Sequence, residues 1–138
     1  MKQIFVDTSA FAALADSRDD NHARAVAFNK TISGVALVTS NYVLDELHTL
    51  LLMNVGYGKT VQFKHKLDLL IAKQILSVIW ISEEIAEQTW KVFEQFNTDK
   101  QWSFTDCTSY VVMKNYGITE TFTFDHHFSQ MGFIRRPD

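Results

Sequence analysis

Four short stretches of this chain run from apolar residues into an acid where a strand should end or a helix begin. They are Ile4-Phe5-Val6-Asp7-Thr8-Ser9, Leu44-Asp45-Glu46-Leu47, Ser103-Phe104-Thr105-Asp106-Cys107 and Thr121-Phe122-Thr123-Phe124-Asp125. A strand that runs straight into a carboxylate delivers it to the rim of a sheet. In open α/β sheets that rim is where ligands bind. Like charges gathered there repel unless protons or a cation relieve them, so the natural guest is a hard divalent metal.

The spacing of apolar residues places these acids on alternating strands and helices. Short apolar runs at 4–6, 35–38, 76–81 and 119–124 read as strands, with a fifth candidate at Phe133-Ile134. Between them, 10–14 continues as a helical turn, and 20–30 forms a helix with Ala23, Val26 and Ala27 on one face. Ser40 or Asn41 caps a helix to about Asn54, striped by Val43, Leu47, Leu50 and Leu51. Gly56 and Gly58 punctuate its end, and a further helix covers 59–73 through Val61, Leu67, Leu70 and Ile71. Ser82 opens a helix ending near Asn97, and Ser103 opens one that Gly117 closes. Strands alternating with helices predict a parallel α/β/α sandwich of four or five strands, as one domain over 1–138.

Composition excludes some classes. No apolar run approaches the roughly 18 residues of a membrane helix, and the N-terminus turns polar too soon for a signal peptide. One cysteine, Cys107, permits no internal disulfide and fits a reducing cytoplasm; it reads as a small packed residue. A net charge of -3 offers no sign of a nucleic-acid partner, but clustered acids holding divalent cations would offset that charge.

Each acid also has a structural explanation. Asp7 can cap the helix that follows it, and Asp106 completes a Ser-x-x-Asp variant of the capping box with Ser103. Asp125 is a favoured turn residue. Glu46 is different: with Val43 and Leu50 as helical neighbours it lies on or beside the buried stripe, where a lone ionised acid is costly. Asp45 points to solvent. His126 and His127 invite a zinc reading but lack partners at zinc-finger spacing, and read as surface loop.

The four stretches, in this order and spacing, resemble the PIN domain, and specifically the small PIN proteins related to VapC toxins. Phe5-Val6-Asp7-Thr8-Ser9-Ala10 matches the first acidic motif and Ser40-Asn41-Tyr42-Val43-Leu44-Asp45-Glu46 the second. Phe104-Thr105-Asp106-Cys107-Thr108-Ser109 matches the third, and Thr123-Phe124-Asp125-His126-His127-Phe128 the last, followed by Gly132-Phe133. Phe124 and the His pair depart from the Arg or Asn of many relatives.

The resemblance implies a Mg²⁺- or Mn²⁺-dependent endoribonuclease, with Asp7, Glu46, Asp106 and Asp125 as the catalytic and metal-holding acids. Asp7 and Asp106 are the expected direct ligands, with Thr8, Ser9 and Ser109 hydrogen-bonding around them. Lys59, Lys64, Lys66, Lys73, Arg135 and Arg136 are candidates for RNA phosphates. The implied partners are RNA and an antitoxin protein. Independently of the resemblance, Leu51, Leu52, Met53, Val55 and Tyr57 exceed what one buried stripe requires, and a second copy of the chain is expected to cover them as a homodimer. A housekeeping PIN ribonuclease without an antitoxin, or a non-catalytic Mg²⁺-binding regulatory module, is the alternative. A phosphatase with Asp7 as nucleophile is disfavoured, because Ser9 stands where an Asp-x-Asp pair needs its second acid.

Overall fold

The computed structural model describes residues 2–138. In chain order the elements are β1 (Gln3–Val6), α1 (Thr8–Ala15), α2 (His22–Asn29), β2 (Ala36–Ser40), α3 (Asn41–Ala72) and β3 (Leu76–Ile79). They are followed by α4 (Glu83–Phe96), α5 (Phe104–Tyr116), β4 (Glu120–Phe122), α6 (His127–Gln130) and β5 (Ile134–Arg136).

The five strands form one parallel sheet in the order β3-β2-β1-β4-β5, flanked by helices. Successive strands step outward from β1 in one direction to β2 and β3. The chain then returns to the other side of β1 for β4 and β5. The order therefore reverses between β1 and β4, which opens a crevice at their carboxyl ends. Asp7 follows β1 directly, and Thr123 to Asp125 follow β4.

The core is built from apolar strand residues and the helix faces laid over them. Ile4, Phe5 and Val6 are essentially inaccessible, as are Val43, Leu47, Leu51, Val112 and Met113. Phe28 reaches over the sheet to Phe122, edge to face at 4.8 Å between centroids. α1 packs on α2 and α3, and α4 packs on α5.

Two expectations need correcting. The buried residue of α2 is Ala25, with Phe28 half-buried beside it, while Ala23 and Ala27 face solvent. Phe28, one turn on from Ala25, carries the larger apolar surface and so decides which face turns inward. The two helices expected at 41–54 and 59–73 are both present within α3 and meet at a kink, and it is the allotment of Leu51 that changes. A single residue, Gly56, breaks the regularity at φ 85° and ψ 175°. That left-handed φ is costly for any residue with a Cβ. The stripe of Val43, Leu47 and Leu51 is buried as expected, so Leu51 belongs to the core and not to a free face. Leu52, Met53 and Tyr57 remain exposed. No helix among the described residues is long and apolar enough to cross a membrane.

Candidate active site

Local sequence brings three of the four acids to the crevice. Asp7 caps α1, accepting from the Ser9 amide at 3.3 Å. Asp106 sits in the first turn of α5 in a complete capping box. The Asp106 amide donates to Ser103 Oγ at 3.0 Å, and the Ser103 amide donates to Asp106 Oδ2 at 3.2 Å. Asp125 follows β4 and accepts from the His127 amide at 2.9 Å. The capping explanations are all correct, and none removes the acid from the crevice.

A hydroxyl pair ties the first and last motifs together. Thr123 Oγ1 and Ser9 Oγ both donate to Asp7 Oδ2, each at 2.9 Å. The two hydroxyls stand 3.1 Å apart. Thr123 Oγ1 also accepts from the Asp125 amide at 3.0 Å, and Ser9 Oγ from the Phe124 amide at 2.9 Å. Asp7 is thereby oriented by residues at both ends of the chain. Thr123 is fully buried, and its role as the link between Asp7 and Asp125 is not evident from local sequence.

The crevice penalises negative charge. Burial raises the Asp7 carboxyl to about 6, against the pull of the Ser9 and Thr123 hydrogen bonds, and the charge of Asp106 adds to the rise. Burial also raises Asp106, opposed by its hydrogen bond with His127 and reinforced by the charge of Asp125. Buried carboxylates that raise one another's affinity for protons offer a cation the same relief. The donor set therefore fits a hard divalent metal. Cys107, next in sequence, is buried and its thiol is pushed up to about 11, which leaves it inert.

The remaining site residues fall out unevenly. Glu46 is exposed on α3: of the two placements expected, on the buried stripe or beside it, it takes the second. Val43, Leu47 and Leu51 form the buried stripe and Glu46 stands beside it. Asp45 is solvent-exposed, as expected. Ser109 does not reach the acids: its hydroxyl donates back along α5 to the Thr105 carbonyl at 3.0 Å. A hydroxyl in mid-helix finds that carbonyl closest. The Thr8 hydroxyl is buried and finds no partner among the described residues.

His127 is the larger surprise. Instead of lying in a surface loop it opens α6, with Nδ1 2.9 Å from Asp106 Oδ2. His126 is exposed, in keeping with the surface reading.

The basic residues divide likewise. Lys64 pairs with Asp68 along its own helix, and Lys59, Lys66 and Lys73 are exposed on α3 or just beyond it. Arg136 is engaged by Glu120 and Asp138. Arg135, held by Ser129 Oγ at 2.7 Å, lines a cavity of about 330 Å³ with Arg24, Thr123 and Phe124. Arg24 was not a sequence candidate. A second, polar cavity of about 490 Å³ is lined by Asn97, Asp99, Lys100, Gln130, His126 and His127. None of the four candidate acids lines either cavity; residues next to Asp125 in sequence do, Thr123 and Phe124 in the first and His126 and His127 in the second. A larger groove of about 960 Å³, between α3 and β3, holds Asp45, His48, Lys64 and Trp80 and likewise none of the four candidate acids.

A parallel sheet with carboxylates gathered at its reversal point is the architecture of one nuclease-bearing class. The PIN domain profile matches residues 4–134, and the chain belongs to the PIN domain family.

Within that family it is 33% identical over 136 residues to the 23S rRNA-specific endonuclease VapC20 of Mycobacterium tuberculosis, spanning 98% of this chain and 99% of that protein. The crystal structure of Mycobacterium tuberculosis VapC20, described as a sarcin-ricin loop cleaving toxin, superimposes with a TM-score of 0.83. That match has 32% sequence identity and covers 95% of this chain and 96% of the other. FitAcB from Neisseria gonorrhoeae matches at a TM-score of 0.67 and 16% identity, covering 96% and 95% of the two chains. At that identity the likeness is one of fold alone.

Proposed function

We propose that this protein is a metal-dependent endoribonuclease of the VapC kind that hydrolyses a phosphodiester bond in ribosomal RNA within the cytoplasm. The observation that carries the reading is the convergence of Asp7, Asp106 and Asp125 on one crevice. It is supported by end-to-end similarity to a 23S rRNA-specific endonuclease. Asp7, Asp106 and Asp125 would hold Mg²⁺ or Mn²⁺, with Glu46 acting from α3 through water. When bound, such an ion acidifies water and neutralises charge developing on the phosphate.

The chain's own residues do the positioning. Ser9 and Thr123 hold the Asp7 carboxylate in one rotamer, and Ser103 does the same for Asp106. Arg24 and Arg135, in the cavity beside Thr123 and Phe124, and Lys100, in the one beside His126 and His127, would contact phosphates of the bound RNA. No side chain is required as a covalent nucleophile.

The exposed apolar residues Leu52, Met53 and Tyr57 support a homodimer through α3, and the VapC likeness supports an antitoxin as the restraining partner. A housekeeping ribonuclease is the competing reading. Cleavage of labelled 23S rRNA fragments by purified protein, with Mn²⁺ or Mg²⁺ and then EDTA, tests the activity. Asp7→Asn and Asp106→Asn should each lower the rate by at least about two orders of magnitude, a few kcal/mol of transition-state stabilisation. Cleavage at the parental rate by either variant would sink the site assignment. Growth arrest on induction, absent in Asp7→Asn, separates a toxin from a housekeeping enzyme.

A further inference from the structure

Among the oxygens of the crevice stands the ring nitrogen of His127. His127 Nδ1 lies 2.9 Å from Asp106 Oδ2 and 3.4 Å from Asp125 Oδ1. Its side chain is 21% exposed, against 71% for the neighbouring His126, whose Nδ1 is 3.8 Å from Asp125 Oδ1. Ligand atoms of Asp125, His126 and His127 all lie within 4.8 Å of one another.

The two separations from His127 Nδ1, 2.9 Å to Asp106 and 3.4 Å to Asp125, are those of neighbouring donors around one ion. With bonds of about 2.1 Å, adjacent donors stand about 3.0 Å apart in an octahedral site and about 3.4 Å apart in a tetrahedral one. The geometry is also held in advance. The His127 amide fixes Asp125 at 2.9 Å, and the Ser103 amide fixes Asp106 at 3.2 Å. The imidazole is thus placed between two carboxylates that are each anchored independently of its ring.

We propose that His127 Nδ1 is a direct ligand of the crevice metal, beside Asp106 and Asp125, and that it biases the site toward Mn²⁺ over Mg²⁺. The inference rests on the metal-dependent reading above. Mg²⁺ takes oxygen donors and gives up its water reluctantly; Mn²⁺ shares the liking for oxygen but, as a first-row transition metal, accepts an imidazole nitrogen more readily. A His127 that merely oriented Asp106 by hydrogen bonding would strengthen the site for both ions alike. Selectivity distinguishes ligand from positioning residue.

The test uses metal-free full-length protein as parent, His127→Ala, His127→Gln and His126→Ala. Calorimetric titration with Mn²⁺ and with Mg²⁺ gives the affinities, and pulsed electron paramagnetic resonance on bound Mn²⁺ reports directly bonded nitrogen. The parent and His126→Ala should show nitrogen coupling, and His127→Ala and His127→Gln should lose it. Mn²⁺ affinity should fall about tenfold or more in His127→Ala, while Mg²⁺ affinity changes less than about threefold. Should the alanine variant unfold, His127→Gln, which keeps a donor beside Asp106, decides. Absence of nitrogen coupling in Mn²⁺-loaded parent, its persistence without His127, or equal loss of both metals would overturn the inference alone. A parent that binds neither ion would overturn it together with the metal-dependent reading.

Discussion

Thr123 and Asp7 stand 116 residues apart in the chain, yet the Thr123 hydroxyl donates to Asp7 Oδ2 at 2.9 Å while accepting from the Asp125 amide at 3.0 Å. One buried hydroxyl therefore sets the geometry of the first and last acids together. Thr123→Val removes it without changing side-chain shape, and leaves the Asp125 amide short of an acceptor. We expect a loss of about 1–3 kcal/mol in urea denaturation and at least a tenfold slower cleavage rate. Thr123→Ser should recover most of both. Equal rates for Thr123→Val and the parent would show that Asp7 needs no such support.

Asp7 makes the metal-free protein less stable as pH rises. Its folded carboxyl titrates near 6 against an ordinary 3.8, so between those values the folded state binds more protons than the unfolded chain. Stability is then lost as pH climbs from about 4 through about 6, by roughly 3 kcal/mol from this group. Asp106 is raised too and acts in the same direction. Denaturation in EDTA at pH 4.5 and 7.5 should show Asp7→Asn gaining on the parent as pH rises. Mn²⁺ should close that gap at pH 7.5 by stabilising the parent alone. An unchanged difference between parent and variant at the two pH values would contradict the burial argument.

Arg24 and Arg135 line the cavity beside Thr123 and Phe124, whereas Lys64 is paired on its own helix. With Asp7→Asn as background to prevent cleavage, Arg24→Ala and Arg135→Ala should each weaken RNA binding severalfold. Each should also reduce the salt dependence by about one phosphate contact. Lys64→Ala should do neither. A larger effect from Lys64 than from either arginine would move the RNA path to the α3 groove.

Met53 and Tyr57 are 78% and 75% exposed, more than solvent-facing apolar residues of a monomer require. Met53→Glu should convert a dimer to a monomer in sedimentation without lowering the melting temperature of the monomer. A parent that sediments as a monomer at micromolar concentration would remove the dimer from consideration.

Much of this architecture is legible in sequence because its signals are short-range. Ser40, Ser82 and Ser103 each accept from an amide three residues on, so each helix start is written within four residues. Apolar runs ending in Asp7 and Asp125 place those acids at strand ends for the same reason: side-chain direction follows backbone geometry over a few residues. The parallel sheet follows from alternation of strands and helices.

Tertiary structure decided what depends on distant partners. α2 buries Ala25 instead of Ala23 and Ala27 because Phe28 meets Phe122, nearly a hundred residues away. Glu46 is exposed because the neighbouring α3 positions Val43, Leu47 and Leu51 take the core face. His127 leaves the surface loop expected of it because α6 carries its ring to Asp106, a residue of α5. Strand order, which puts β1 beside β4 and so Asp7 beside Thr123, is likewise set by packing the whole sheet. Local sequence encodes which residues cap, turn and alternate; only closure of the chain brings side chains from opposite ends within 3 Å, and the chemistry of this crevice depends on that closure.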